Sequence, residues 1–297
     1  MNRSKQPDQF CDLHAHSSAS DGTDAPEALG ALAWAAGLGA VALTDHDTVA
    51  GLAKARSGAE AAGVAFVPGI ELSADPDVLQ TGESRGTLHL LGYFVDDQAS
   101  QLVTLCEELR ASRNQRNPEI LARLRTLGVQ IDEEEVASLA AGAAGEPGVV
   151  GRPHIAQAMV QRGYVKSIHE AFQTYLGKGG AAFVRRDRVT AQQAMDAVHS
   201  AGGLVVLAHP VQLKLDDRTC EQVVSRLKAD GLDGIETVHP DHDAADRVRF
   251  ETYARKFALL ATGGSDYHGQ RKAIELGSQR VDFQVYERLA DAAGVTA

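Results

Sequence analysis

The stretch from Cys11 to Pro26 reads CDLHAHSSASDGTDAP, and the fold turns on how its two histidines are read. A short apolar run, FCDLH, ends in a His-x-His pair and then gives way to Ser-Asp-Gly. Side chains alternate faces along a strand, so His14 and His16 project to one side, where both imidazoles can reach one ion. Two surface histidines on an edge strand would show the same spacing. The other strand ends have to decide between these readings.

Working outward, residues 10 to 95 alternate short apolar runs with amphipathic helical stretches, the rhythm of β/α units. AVALTDHD (40–47), VAFVPGIELS (64–73) and TLHLLGYFV (87–95) read as the second to fourth strands. Helices are expected over 27–36, with Thr23 or Asp24 as cap and Pro26 in the first turn, and over 49–62. Beyond residue 98 the pattern becomes helical: 99–116, 118–127, 132–140, 153–162 and 167–176, with Asn117-Pro118 expected to break the first two. The Gly- and Ala-rich AAGAAGEPGVVG (140–151) reads as a loop. From 190 the β/α rhythm returns: helix 190–201, strand LVVLAHP, helix 217–229, strand GIETVHP, helix 241–256 and strand ALLATGGSDYHG. The reading is an α/β barrel over 10–97 and 190–297, a helical insertion over 98–189 and a tail over 1–9.

Composition narrows the function classes. The 297 residues, 44% of them hydrophobic, suffice for a barrel-sized core plus an insertion. A formal charge of -11 disfavours duplex nucleic acid and anionic membranes as partners. Cys11, Cys106 and Cys220 are far apart, so neither a disulfide framework nor a thiolate metal site is expected, and a reducing cytoplasm fits. The polar start MNRSKQPDQF has no signal-peptide core, and no apolar run approaches the ~20 residues that span a bilayer. Trp34, in an Ala-rich helix, reads as a packing residue.

Nearly every strand candidate carries metal-competent side chains: His14 and His16, Asp45 and His46, Glu71, His89, His209, Glu236 with His239, and Asp266 with His268. In β/α barrels the active site gathers at the carboxyl ends of the strands, so these groups would converge on one mouth. Singly, each has an ordinary explanation, such as a turn residue at Asp21, a helix cap at Asp45 or a satisfied core histidine at His89. Together they are better explained by one cause. Histidine with carboxylate and no thiolate suits Mn²⁺, with Fe²⁺ or Zn²⁺ also compatible, and the number of candidate ligands suits two or three divalent ions.

DLHAHSSASDG (12–22), TDHD (44–47), GIELS (69–73), AHP (208–210) and GSDYHG (264–269), in that order, resemble the polymerase and histidinol phosphatase (PHP) family of the amidohydrolase superfamily. The resemblance implies a distorted (β/α)7 barrel. It implies a first ion held by His14, His16, Glu71 and Asp266, with Glu71 bridging to a second held by His89 and His209. Asp21, His46 and His268 would surround a third, and Asp12 and Asp45 would orient ligand histidines. The insertion, with GRPHIA (151–156) and YLGKGG (175–180), is most similar to the group that includes 3′,5′-nucleoside bisphosphate phosphatases, some members of which trim short RNA from the 5′ end.

The expected activity is therefore a metal-dependent phosphatase that removes the 3′-phosphate of a nucleoside 3′,5′-bisphosphate through a hydroxide bridging two ions. His239 is the candidate for protonating the leaving oxygen or touching the phosphate, beside Asp266 and His209 as catalytic residues. A second phosphate, away from the ions, calls for protein cations: Arg113 and Arg116 on one helix face near an exposed end, Arg152 and His154 at a helix start, and Lys178 between glycines. His242 reads as helix surface. Competing readings are another phosphoester, such as histidinol phosphate or a short oligoribonucleotide, or a metal-stabilised ligand-sensing module without catalysis.

Overall fold

In a computed structural model, residues 10–75, 86–140, 150–184 and 189–296 are described. The expected tail (1–9) and most of the Gly- and Ala-rich loop (141–149) lie outside them. Eight strands form one sheet: β1 (Phe10–Asp12), β2 (Ala40–Leu43), β3 (Ala65–Ala74), β4 (Leu88–Tyr93), β5 (Leu204–Leu207), β6 (Gly234–Val238), β7 (Leu260–Gly263) and β8 (Val281–Asp282). Their order is β7-β6-β5-β4-β3-β2-β1-β8. β1, β2 and β3 run parallel, as do β5, β6 and β7.

β4 is the distortion, since it runs antiparallel to both β3 and β5. Antiparallel neighbours need no crossover helix, so β3 turns directly back into β4. The reversal decides how His89 is placed. It pairs with Ser73, near the amino end of β4, and it reaches the mouth because that end lies beside the carboxyl end of β3.

The sheet nearly closes. Leu13 N–H donates to Gly263 O at 3.2 Å, and His16 N–H donates to Tyr267 O at 2.8 Å, joining the ends of β1 and β7. Gly264 makes this approach possible: a Cβ there would lie 2.4 Å from both the Cβ and the backbone nitrogen of His14. The architecture is thus a distorted (β/α)7 barrel, with the short β8 added on the outside of β1.

The helices are α1 (Leu29–Ala35), α2 (Leu52–Ala62), α3 (Ser100–Thr126), α4 (Glu133–Ala140), α5 (Arg152–Gln161), α6 (Ile168–Ala171), α7 (Ala191–Ser200), α8 (Asp217–Ala229), α9 (Ala244–Lys256) and α10 (Phe283–Ala292). Several depart from expectation. A 3₁₀ turn, Pro26–Ala28, leads into α1 without a side-chain cap. Thr23 and Asp24 instead accept bonds from Gln270 N–H (3.0 Å) and the Tyr267 hydroxyl (2.8 Å), tying the loop after β1 to the loop after β7. Trp34 is 36% exposed rather than packed away.

α3 continues through Pro118 instead of breaking there. A proline inside a helix forfeits one backbone bond. Here Ile120, Leu121 and Leu124, all buried just beyond it, hold the continuation in place, as does Asn117, whose amide donates to Val150 O at 3.0 Å. The 167–176 helix is one turn of α6 followed by a π-helical turn, Phe172–Leu176. α10 and β8 were not anticipated, although Asp282, which caps α10 by accepting from Gln284 N–H, is an ordinary helix-start signal.

The buried apolar side chains fall into separate clusters. Two surround and fill the barrel; one of them joins Cys11, Leu13, Val67, Leu91 and Val206 to Tyr286 and Leu289 of α10. A third, from Ile120 to Val184, is built entirely from α3 to the segment before α7. No helix of the described residues is long and apolar enough to cross a membrane.

Candidate metal centre

The strand ends deliver the side chains and irregular backbone aims them. Asp47, His209 and Asp266 adopt positive φ (53°, 25° and 51°), a region that costs a non-glycine residue strain and clusters at functional sites. All three sit immediately after or within the segments that follow β2, β5 and β7.

Glu71 of β3 is the hub. Its Oε1 lies 2.6 Å from His89 Nδ1 and 3.0 Å from His209 Nε2, while Oε2 lies 3.2 Å from His16 Nε2 and from His46 Nδ1, and 3.3 Å from His14 Nε2. One carboxylate, 1% exposed, thus faces different imidazoles with its two oxygens, which suits a bridge between ions. Asp266 Oδ1 approaches His16 Nε2 at 3.2 Å and His14 Nε2 at 3.5 Å. Asp21 Oδ1 lies 3.3 Å from His268 Nε2, and its Oδ2 lies 4.0 Å from His46 Nε2.

Groups of potential ligand atoms mutually within 4.8 Å are His14/His16/Glu71/Asp266, His16/Asp21/His46/His268, His46/Glu71/His89 and His14/Glu236/His239. The first two match the sets expected for the first and third ions, His16 being additional in the latter. His209 joins His89 through the shared Glu71 oxygen.

The donor set fits divalent cations. Both ring nitrogens of His16, Nδ1 of His46 and Nδ1 of His209 are buried without a hydrogen bond. Such orphaned atoms are rare and ask for a partner. The local field points the same way. Burial opposes charge on His14, yet Glu236, Glu71 and Asp266 overcome it and raise the imidazole well above its ordinary value; His16, opposed by burial in the same way, is pushed up to about 9 by Asp266 and Glu71. Burial would likewise raise the Glu71 carboxyl, but His46, His89 and His14 hold it well below the usual range. Carboxylates kept ionised in a buried site, with surroundings this favourable to positive charge, make a cation well.

Glu236 is the residue whose role the sequence left open. Fully buried, it sits 3.1 Å from His14 Nδ1 and accepts His209 N–H at 2.7 Å. A carboxylate on Nδ1 leaves Nε2 of His14 as the lone-pair nitrogen facing Glu71 and Asp266. Asp12 and Asp45 act differently from expectation, because neither meets an imidazole in a hydrogen bond. Asp12 accepts the backbone N–H groups of Ser265 (2.9 Å) and Gly277 (2.7 Å), and Asp45 accepts Ser17 N–H (2.8 Å) and hydroxyls of Ser17 and Ser20. They hold the loops on which the histidines stand.

His239 Nδ1 accepts Asp241 N–H at 3.0 Å, so a neutral His239 carries its proton on Nε2, which is buried without a hydrogen bond 3.5 Å from Asp266 Oδ2. His242 is buried, not on a helix surface: it precedes α9, bonds to Thr237 O at 3.1 Å and lies between His239 and Phe250. Lys272, which the sequence reading did not single out, makes an ion pair with Asp266 Oδ2.

The predicted phosphate contacts divide. Arg113 and Arg116 are buried within α3 rather than near an exposed end. Arg113 is committed to Asp47, with its Nε 3.0 Å from Oδ2 and its Nη2 on the same oxygen. Arg152 donates to Leu176 O at 3.0 Å and lies over the Phe172 ring. Lys178 is exposed in the turn after the π-helical segment. His154 is fully buried at the start of α5.

Comparison with known proteins places this geometry. The PHP domain model matches residues 12–198. A 5′-3′ exoribonuclease of Haemophilus influenzae is 33% identical over 266 residues, covering 90% of this chain and 92% of that protein. A phosphoribosyl 1,2-cyclic phosphate 1,2-diphosphodiesterase of Eggerthella lenta is 36% identical over 260 residues (87% and 94%), and a 3′,5′-nucleoside bisphosphate phosphatase of Chromobacterium violaceum is 30% identical over 260 residues (86% of each). A crystal structure from Bifidobacterium adolescentis, described as a metal-dependent phosphoesterase, superposes with a TM-score of 0.85 at 31% identity, covering 98% of this chain and 99% of that one.

Proposed function

Because the chain belongs to the PHP domain family, we propose that it removes the 3′-phosphate of nucleoside 3′,5′-bisphosphates, such as adenosine 3′,5′-bisphosphate, releasing the nucleoside 5′-monophosphate and phosphate. At the coarser level the chain is a metal-dependent phosphoesterase. The observation that carries the reading is the Glu71 hub, one buried carboxylate shared by imidazoles from several strand ends, with Arg113 of α3 paired to Asp47, the neighbour of the hub's His46.

Bound divalent ions would supply positive charge to the phosphoryl oxygens and acidify a water; Mn²⁺ is the proposed metal, held by His14, His16, Glu71 and Asp266, by Glu71, His89 and His209, and by Asp21, His46 and His268. The chain's own residues do the rest. Glu236 keeps the His14 proton on Nδ1. His239 holds a proton on Nε2, facing the cluster, and donates it to the departing 3′-oxygen or to a phosphoryl oxygen. Near-complete burial of Glu71 and Asp266 keeps bulk water from competing for the phosphate. Residues 98–189 are the cap that receives the remainder of the nucleotide, and Arg116, Arg152, His154 and Lys178 are its proposed substrate contacts.

The test is phosphate release from adenosine 3′,5′-bisphosphate by Mn²⁺-loaded protein, with the nucleotide product separated by chromatography. AMP as the product supports the reading. No release, while a generic aryl phosphate is cleaved, overturns the substrate assignment. A second substrate class, short RNA trimmed from its 5′ end, is favoured by the exoribonuclease relative; a 5′-phosphorylated pentaribonucleotide in the same assay distinguishes it.

A further inference from the structure

Two basic side chains near the candidate centre have donors that nothing accepts. His154 is 0% exposed, its Nδ1 accepts Gly151 N–H at 3.0 Å, and its Nε2 is buried without a hydrogen bond. With Nδ1 used as an acceptor, the neutral ring carries its hydrogen on Nε2. Arg271, three residues after His268, donates through Nη2 to Leu139 O at 2.9 Å, while its Nε and Nη1 are buried without a partner. Among the described residues no carboxylate forms an ion pair with Arg271; Asp21, which influences both groups, is turned to His46 and His268.

The two groups belong to one locality. The amino end of α5 packs against Arg113, whose Nη1 would lie 3.1 Å from a Cβ on Gly151. Arg113 in turn holds Asp47, the neighbour of His46. Arg271 stands in the short 3₁₀ turn Gly269–Arg271 that follows His268 and reaches across to the end of α4. A donor from the loop after β7 and one from α5 therefore lie near one another, Arg271 close enough to influence the His154 ring. Burial, with Arg271 beside it, holds His154 down at about 4, so at neutral pH it is an uncharged donor next to a charged one.

Buried guanidinium nitrogens without an acceptor are costly, and a multidentate anion satisfies several N–H donors at once. We infer that His154 and Arg271 bind the second, non-reacting phosphate of the substrate, so that the chain selects a ribose carrying two phosphate groups. The inference rests on the reading proposed above and deepens it. Arg271 is then a specificity residue that no motif in the sequence marked. Its Nε and Nη1 engage the terminal phosphate from the barrel side, and His154 Nε2–H engages it from the α5 side.

The experiment compares wild type with Arg271→Met and Arg271→Lys, each checked for an unchanged melting profile and Mn²⁺ content. For wild type, kcat/KM on adenosine 3′,5′-bisphosphate should exceed that on adenosine 3′-monophosphate by at least about tenfold. Arg271→Met should bring that ratio close to one, chiefly through KM, and Arg271→Lys should fall between. AMP binding by calorimetry should weaken at least about tenfold in Arg271→Met. A ratio and an AMP affinity that both stay at wild-type values overturn the inference, and should Arg271→Met fail to fold, the Lys variant decides by the same criteria. If wild type turns over neither nucleotide, the substrate reading fails. The AMP measurement still decides the subsite: weakened binding in the variants retains it and unchanged binding removes it.

Discussion

Arg113 ties the insertion helix α3 to the barrel mouth, and cutting that tie has a calculable cost. Asp47 is 0% exposed, and its carboxylate receives Ser73 N–H at 2.9 Å, the Ser73 hydroxyl at 3.4 Å and Arg113 through two nitrogens. Arg113→Met keeps most of the side-chain volume but takes the guanidinium away from a buried carboxylate. Removing one partner of a buried pair costs about 3–5 kcal/mol, which in a chain of this size lowers Tm by about 10 °C. Asp47→Asn is the matching change on the other side; Asn tolerates the left-handed φ of +53° at this position, so the variant removes charge without adding backbone strain. The double variant should cost less than the sum of the singles, with a coupling of about 2 kcal/mol. Thermal and urea unfolding of the four proteins close the cycle. Single variants that melt within about 2 °C of wild type, or strictly additive effects, would refute the claim that this pair fastens the insertion to the mouth.

Three further outcomes follow from particular contacts. Glu236→Gln should weaken metal binding about 10- to 100-fold, read by competition with a fluorescent chelator, because it disturbs the 3.1 Å contact that sets the His14 tautomer; unchanged affinity would remove Glu236 from that role. Gly264→Ala places a methyl 2.4 Å from the His14 backbone. It should destabilise the chain by about 1–3 kcal/mol and lower the bound-metal count, and a variant with wild-type Tm and metal content would contradict the β1–β7 seam. Burial pushes the thiols of Cys11 and Cys106 up to about 12 and that of Cys220 to about 11, so none should react with a disulfide reagent at pH 8 before unfolding. For such raised acids the folded state keeps protons that the unfolded state loses. Their stabilisation is complete below pH 9, and between pH 9 and 11 each thiol removes about 1.4 kcal/mol per pH unit. A triple Cys→Ala variant should show a correspondingly flatter alkaline limb, and an identical slope would contradict the shifts.

The two halves of the candidate site were not equally legible. The histidines and carboxylates could be found because each stands at or just beyond a strand end, and a parallel β/α unit sends those ends to one mouth whatever its loops do. Arg271 and Lys272 could not be found that way. They lie in a short irregular turn, and only the packing of that turn against α4 and Asp266 gives them neighbours. Arg113 shows the reverse error: its sequence neighbours suggested an exposed helix end, but the continuation of α3 past Pro118 buried it against Asp47.

The alternation of apolar runs and helices and the chemistry available at each strand end were legible in the sequence alone. These are local properties, set by the two-residue period of strands, the 3.6-residue period of helices and the side chains present. Folding alone made β4 run backwards and so present its amino end with His89, set Glu236 rather than Asp12 or Asp45 against a ligand imidazole, and brought Arg271 near enough to His154 to influence it. Strand direction, second partners and buried cations depend on which segments touch after folding, and contacts between residues far apart in the chain leave no period in its sequence.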